Sequence, residues 1–220
     1  MNHQGEVFFH DGTENCWRRL ASDGKIIDEP SLAADKVIAF DAEGRSVTAS
    51  DIRATCLTST HHGRLYATDA EVGEVWLIRP DGTKTLLDEG LRHPTGIALT
   101  PDGLWLAVME SGTHCGYSYR VKPDGTVELK QRYYWLHVPD WADDSGAGSV
   151  CMDRDGRPYV ATRMGVQVLD RNGRSRGILP LPAGEATSVC FGGARYDTLY
   201  VTSGGQLYQR KMKSVGATPF

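Results

Sequence analysis

Glu110 and His114 are the two neighbouring side chains of this sequence that best suit proton transfer. A positioned carboxylate and a positioned imidazole are common partners in general acid–base catalysis. Asp144 offers a second carboxylate, and the guanidinium of Arg163 could anchor a carboxylate or phosphate through two parallel hydrogen bonds. We therefore interpret Glu110, Asp144 and Arg163 as candidate catalytic residues and His114 as a candidate substrate-binding residue.

A second group of candidates could bind a polar ligand through hydroxyl and carboxylate oxygens. It consists of Thr55, Thr95 and Thr187, together with Asp69. Each threonine begins an equivalent strand of a repeat, and Asp69 follows the next strand, so all four should meet at one end of the fold. The aromatic and acidic segment 133–144 would form a wall or lid beside them.

The same residues also fit structural roles, and the sequence leaves both interpretations open. Threonine suits strands and can hydrogen-bond to neighbouring backbone. Asp69 and Asp11 can cap turns, and Arg163 can form a salt bridge between repeats. Among the cysteines, Cys56 is the one worth testing as a nucleophile.

Turn dipeptides divide the chain into short strands. An acidic residue or asparagine followed by glycine supplies the positive φ angles of a tight hairpin. Long amphipathic helical patterns are missing, so the sequence predicts an all-β fold. The dipeptides are Asp23-Gly24, Glu43-Gly44, Asp81-Gly82, Asp102-Gly103, Asp124-Gly125, Asp155-Gly156 and Asn172-Gly173.

Four segments repeat one pattern of small and β-branched residues, each followed by two or three further strands. Their starts at Thr55, Thr95, Gly148 and Thr187 are separated by 40, 53 and 39 residues. Four-stranded repeats of about 40–50 residues are typical of a β-propeller, in which small residues suit the crowded innermost strands. The segments are Thr55-Cys56-Leu57-Thr58, Thr95-Gly96-Ile97-Ala98, Gly148-Ser149-Val150-Cys151 and Thr187-Ser188-Val189-Cys190.

The first 50 residues depart from this pattern. Strand-like runs at 7–10, 17–20, 26–27, 37–41 and 47–49 have no innermost strand before them. The total is about 20 strands, or five blades of four. The sequence leaves open a ring of five blades, a shortened six-bladed ring, and an open ring that closes by homodimer formation. In each case residues 1–220 form one domain.

Three stretches give the sequence a family resemblance. They are residues 93–103, which read HPTGIALTPDG, residues 153–168 around RPYVATR, and Cys190-Phe191-Gly192-Gly193 followed by Thr198-Leu199-Tyr200-Val201-Thr202. They resemble the senescence-marker-protein/regucalcin/gluconolactonase family. The resemblance implies a six-bladed propeller that hydrolyses sugar lactones and related esters with one divalent metal, often calcium, near the top of the channel.

The metal ligands that the resemblance implies are replaced here. Its glutamate would lie on the first blade, on an innermost strand before the Val7 strand that the sequence does not show. Its two asparagines would fall at Thr55 and Thr95, and its aspartate at Gly148. A hard cation prefers several oxygen ligands that include carboxylates. We therefore predict no metal of this kind and no other cofactor.

Composition excludes several other classes of function. The net charge of −4 gives no basic footprint for nucleic acid, and no apolar run approaches the roughly 18 residues of a membrane span. The five cysteines are widely spaced and contain no C-x-x-C, which argues against a disulfide framework or zinc finger and favours the cytoplasm.

These observations lead to one principal hypothesis and two alternatives. The principal hypothesis is a metal-independent hydrolase, cyclase or isomerase that acts on a small polar molecule at the channel mouth. The first alternative is a non-catalytic binding or scaffold propeller. The second is a metal-dependent lactonase with relocated ligands.

Overall fold

The fold of the chain is all-β. The computed structural model describes residues 2, 4–11, 13–21, 23–32, 36, 38–40, 45–49 and 52–217. Those residues contain no helix with the length and hydrophobicity needed to cross a membrane. The twenty strands are β1 (Val7–Asp11), β2 (Cys16–Leu20), β3 (Ile26–Asp28), β4 (Ile38–Phe40), β5 (Ser46–Thr48), β6 (Cys56–Ser59), β7 (Leu65–Asp69), β8 (Glu74–Ile78), β9 (Lys84–Asp88), β10 (Pro94–Leu99), β11 (Trp105–Glu110), β12 (Cys115–Val121), β13 (Val127–Trp135), β14 (Val150–Met152), β15 (Pro158–Thr162), β16 (Gly165–Leu169), β17 (Ser175–Leu179), β18 (Ser188–Gly192), β19 (Thr198–Ser203) and β20 (Gln206–Lys211).

Consecutive strands pair antiparallel into the blades of a β-propeller, which confirms the predicted fold. Strands β6–β9, β10–β13 and β14–β17 form three four-stranded sheets. Strands β1–β3 and β18–β20 form three-stranded sheets, and β4–β5 form a pair. The described strands are therefore equal in number to five four-stranded blades and are shared among six sheets.

Contacts between successive sheets close the ring. The inner strand β10 packs beside β6 on one side and β14 on the other, and β14 packs beside β18. The last sheet meets the first where the Gly193 amide donates to the Gly5 carbonyl at 2.8 Å. The first two sheets meet through the rings of Phe8 and Phe40, whose centroids are 4.7 Å apart. The described elements therefore form a ring that closes within one chain.

The hairpin turns at one end of the ring follow the predicted Asp-Gly chemistry. In the turns at Asp23, Asp81, Asp102 and Asp124, the aspartate accepts a backbone hydrogen bond from the residue two positions later, as an Asx turn requires. In the turns at Asp155-Gly156 and Asn172-Gly173, Asp153 and Asp170 take this role instead. The Asp81 carboxylate accepts from the Thr83 amide at 2.8 Å, and Asp124 accepts from the Thr126 amide at 2.9 Å. These turns connect the first strand of a blade to the second, and the third to the fourth. Their local hydrogen bonds fix the register of both strand pairs.

The hydrophobic core lies between the blades. The second strands β7, β11 and β15 are buried along their whole length or nearly so. Tyr66 and Leu77 of one blade pack with Leu106 and Val108 of the next in a single cluster. Because each face of a blade packs on a neighbour, both faces of the second strand are apolar, and the strand reads as a continuous hydrophobic run.

Candidate functional site

A cavity of about 1730 Å³ occupies the hub of the ring. We call it the hub cavity. The inner strands β6, β10, β14 and β18 form most of its wall, and hairpin turns together with residues of the first two sheets, such as Phe8, Trp17 and Phe40, form the rest. Those two sheets have three and two described strands, fewer than the four of a complete blade. The cavity exceeds the roughly 300–1,000 Å³ of common ligand pockets, so a small molecule could enter it with room to spare.

The three predicted threonines lie together at one end of the hub cavity, which we call the threonine end. Thr55, Thr95 and Thr187 all line the wall there. Each hydroxyl already has a protein partner. Thr55 Oγ1 accepts from the Ala70 amide at 2.9 Å, and Thr95 Oγ1 donates to the Ala147 carbonyl at 2.5 Å. Thr187 Oγ1 lies 2.7 Å from Thr202 Oγ1. The hydroxyls can still accept from a ligand, but they also hold neighbouring strands in place.

The donor set at the threonine end does not fit a hard divalent cation. The three positions that the family resemblance assigns to metal ligands here offer two hydroxyls and the backbone of Gly148. A Cβ atom on Gly148 would lie 2.1 Å from the Thr187 carbonyl oxygen, so an aspartate could not be placed there without moving a strand. Among the described residues, no group of three or more His, Cys, Asp or Glu side chains could hold a metal ion. Metal independence remains a prediction.

Glu110 lies at the end of β11 and is buried, and its two carboxylate oxygens are both engaged. Oε1 accepts from the Arg92 amide at 2.8 Å, and Oε2 accepts from the Thr113 hydroxyl at 2.8 Å. His114 instead packs against Trp135 in a tilted arrangement, with ring centroids 5.6 Å apart. Within the described residues no hydrogen bond or ion pair joins the two side chains, and neither lines the hub cavity. The structure therefore does not bring the proposed acid–base pair together.

Arg163 and Asp144 form an ion pair that fastens the segment between β13 and β14. Arg163 Nε donates to Asp144 Oδ1 at 2.9 Å, and the Gly146 amide donates to the same oxygen at 2.9 Å. The hydrogen bond from Arg163 lowers the pKa of the Asp144 carboxyl. Arg163 Nη1 also approaches Glu185 Oε1 at 4.0 Å. This is the inter-blade salt bridge that the sequence left open, and neither residue lines the hub cavity.

We expect the Asp144 ion pair to make part of the stability dependent on pH. Because the pKa of Asp144 is lowered in the folded state, its contribution is present above the ordinary carboxyl pKa near ~4 and is lost as the pH falls through the folded value. Denaturant unfolding should therefore show that Asp144→Asn is less stable than the wild type at pH 7, with a gap that shrinks below pH ~4. Asp140→Asn, an exposed change in the same segment, is the control. A gap that does not vary with pH would contradict the assignment.

Gln167 also anchors the segment between β13 and β14. Sequence reasoning did not identify this residue as important. Its side chain is fully buried in β16. Oε1 accepts from the His137 amide at 2.8 Å, while Nε2 donates to the His137 carbonyl at 2.7 Å. One amide side chain therefore satisfies both backbone groups of His137. The available signal was a polar residue in the middle of the apolar run Val166-Gln167-Val168.

Asp69 and Asp11 both take the turn-capping role. Asp69 Oδ1 accepts from the Glu71 amide at 3.1 Å, and Asp11 Oδ1 accepts from the Thr13 amide at 2.9 Å. Asp11 also pairs with Arg18 at 2.5 Å. Asp69 lies at the threonine end of the ring but outside the lining of the hub cavity.

Three of the five cysteines line the hub cavity: Cys56, Cys151 and Cys190. Burial raises the pKa of all three thiols, most strongly that of Cys151. The thiol of Cys56 is therefore protonated at neutral pH. Because the thiolate is the reactive form, this environment does not favour Cys56 as a nucleophile.

The opposite end of the hub cavity is lined by hairpin turns and by charged side chains. Four of those side chains are cationic and one is a carboxylate, that of Asp102. His61 and His62 lie beside them with ring centroids 3.7 Å apart. Sequence reasoning placed the ligand groups at the threonine end and did not single out this one. The cationic side chains are Arg64, Arg120, Lys122 and Arg154.

Comparison with known proteins gives one family and several relatives. A family model described as SMP-30/Gluconolactonase/LRE-like region matches residues 38–205. Pentonolactonase XacC of Haloferax volcanii is 29% identical over 184 residues, which cover 82% of this chain and 56% of that protein. The chain therefore spans little more than half the length of this curated relative.

Solved structures share the fold at low sequence identity. A gluconolactonase from Xanthomonas campestris superposes with a TM-score of 0.74 at 20% identity, covering 94% of this chain and 82% of that one. A calcium-binding protein, regucalcin, from Agrobacterium tumefaciens gives a TM-score of 0.78 at 14% identity, covering 97% and 88%. At such identities the likeness concerns the fold alone.

Proposed function

The chain belongs to the SMP-30/gluconolactonase/LRE-like family, and on this premise we propose that it binds a small polyhydroxylated molecule, such as a sugar lactone or sugar acid, in the hub cavity. The observation that carries the proposal is the cavity itself. Its volume of about 1730 Å³ is framed by four inner strands that carry threonine and serine hydroxyls. Few polar groups set against apolar walls are the usual make-up of a small-molecule site.

Binding without catalysis is the activity that this geometry supports best. Glu110, Asp144 and Arg163 are each committed to hydrogen bonds with the protein, and none of them lines the cavity. A general base must lie within hydrogen-bond reach of the proton that it removes. The described side chains therefore supply recognition of a ligand more readily than proton transfer to it.

Metal-independent binding follows from the same wall. The hydroxyls of Thr55 and Thr95 are poor ligands for a hard cation, and Gly148 contributes no side chain. Thr55 Oγ1 and Thr95 Oγ1 are instead positioned to accept hydrogen bonds from ligand hydroxyls. No step that needs a metal is proposed for this chain.

Lactone hydrolysis is a second candidate function. The observation in its favour is the match to a protein named as a pentonolactonase, which covers 82% of this chain. The test is the rate of gluconolactone hydrolysis after treatment with a chelator, with and without added calcium. Calcium-dependent turnover would support a lactonase with relocated ligands, whereas turnover unaffected by the chelator would support a metal-independent hydrolase.

We expect Ser188→Phe to weaken binding in the hub cavity. Ser188 is exposed and lines the wall, so a phenyl ring there would occupy space needed by the ligand. Calorimetric titration with a panel of aldonolactones and aldonic acids should show an affinity loss of at least about tenfold. This loss corresponds to ~1.4 kcal/mol of binding free energy. Ser175→Phe, on the outer strand β17, is the matched control. Equal affinity in the two variants would place the ligand elsewhere.

A further inference from the structure

The end of the hub cavity opposite the threonines has an excess of positive charge. We call the four cationic side chains of Arg64, Arg120, Lys122 and Arg154 the basic rim. They face the cavity together with a single carboxylate among the described lining residues, although the whole chain has a net charge of −4. The rim is therefore a local departure from the overall charge balance.

Structural partners explain only part of the basic rim. Arg64 Nη2 donates to the Pro123 carbonyl at 2.9 Å, which holds this guanidinium against the turn that carries Lys122. Arg120 Nη1 lies 3.8 Å from Glu128 Oε1, a long and exposed ion pair. The side chains of Lys122 and Arg154 make no hydrogen bond or ion pair with any residue that the structure describes.

The carboxylates near the rim, in contrast, are explained by the turns that contain them. Asp102 Oδ1 accepts from the Thr100 hydroxyl at 2.6 Å and from the Leu104 amide at 3.0 Å. Asp124 accepts from both the amide and the hydroxyl of Thr126. These groups cap backbone and make no hydrogen bond or ion pair with Lys122 or Arg154; the pKa of Asp124 is lowered mainly by the hydrogen bonds from Thr126 and to a smaller extent by the charge of Lys122.

We propose that the basic rim binds the oxyanion of a phosphate- or carboxylate-bearing ligand in the hub cavity. This inference rests on the proposed function and adds the charge of the ligand and its orientation. Cations at the mouth of a low-dielectric cleft concentrate anions there, and charge-assisted hydrogen bonds to oxyanions are stronger than neutral ones. The opposite end of the ring carries Asp69 and Glu110, for which no ion pair is found among the described residues, and these carboxylates would repel the same group. The anionic end of the ligand therefore points away from the threonines.

The test compares three ligands that share a six-carbon sugar skeleton by calorimetric titration: glucose, gluconate and glucose 6-phosphate. We expect at least one of the two anions to bind about tenfold more tightly than glucose. The preferred anion identifies the oxyanion as carboxylate or phosphate. In Lys122→Ala/Arg154→Ala the ratio of anion affinity to glucose affinity should fall to about one. The control is Arg210→Ala/Lys213→Ala, which removes two exposed cations outside the cavity wall.

Failure of this inference can be told apart from failure of the proposed function. Equal binding of all three ligands, or an anion preference that survives in the double variant, would overturn the proposed role of the basic rim. Either result would still leave the cavity as a binding site. If no sugar binds, pyrophosphate is titrated alone. Pyrophosphate binding that is lost in the double variant supports the rim, and absence of that binding overturns it together with the proposed function.

Discussion

Gly148→Ala is expected to lower the free energy of unfolding by about 3 kcal/mol, at the upper end of the range for overpacking a tightly filled site. A Cβ atom there would lie 2.1 Å from the Thr187 carbonyl oxygen and 3.0 Å from its carbonyl carbon. Because the obstacle is backbone rather than a flexible side chain, the new methyl group can be accommodated only if two inner strands separate. A protein of this size should then lose roughly 6–12 °C in Tm.

Gly177→Ala provides the control for this prediction. Gly177 lies on the outer strand β17, and a Cβ atom there would meet nothing within 4 Å. Its effect should stay within about 0.5 kcal/mol, as for most exposed substitutions. Denaturant unfolding of both variants measures the difference. If the two alanine variants are equally stable, the inner strands are not in the tight contact described here.

The same contact bears on the metal question. Gly148 is the position at which the family resemblance implies an aspartate, and the backbone of the neighbouring strand now approaches it. Gly148→Asp should therefore destabilise the fold at least as much as Gly148→Ala, instead of restoring a ligand. The loss of the carboxylate and the close approach of two inner strands are thus linked in one position.

The repeat was predictable from sequence because it is local. Asp81-Gly82, Asp102-Gly103 and Asp124-Gly125 each specify a turn through their own backbone hydrogen bonds, and the alternating residues between them specify strands. The small residues at Gly96 and Gly148 also indicated which strand is innermost. These signals need no knowledge of distant contacts, so the propeller and most of its strand positions are confirmed.

The partners of the candidate site residues were not predictable in the same way. Sequence placed Glu110, Asp144 and Arg163 at one end of the ring, and the structure has them there. Whether each points into the hub depends on side-chain rotamers and on partners distant in the chain, such as Arg92 for Glu110. The basic rim was missed for a similar reason, since Arg64, Lys122 and Arg154 come from three different hairpins.

The first two sheets show a further limit of the sequence pattern. Runs at 7–10 and 17–20 predicted strands, which the structure confirms as β1 and β2. The runs at 37–41 and 47–49 correspond to β4 and β5, although residues 37 and 41 lie outside the described residues. Pattern alone could not show that apolar residues of these sheets, such as Phe8 and Phe40, would form a wall of the hub cavity.

Gln167→Leu is the second variant for which we expect a large effect, about 2–4 kcal/mol of destabilisation. Leucine has a similar volume but cannot accept from the His137 amide or donate to the His137 carbonyl. It also removes the 3.2 Å hydrogen bond from Nε2 to Thr162 Oγ1. Hydrogen exchange should show that amides of residues 136–146 lose more protection than those of β10 and β11, because the anchor acts directly on that segment.

Gln209→Leu, an exposed change on β20, tests whether the loss of a glutamine as such has any effect. It should leave both stability and exchange unchanged. If Gln167→Leu lowered global stability without a selective change at residues 136–146, Gln167 would be a core residue and not an anchor. The distinction matters for function because the same segment holds Asp144 and leads directly into Gly148 and the inner strand β14. By holding the backbone of His137, Gln167 therefore also positions the segment that leads into the β14 wall of the hub cavity.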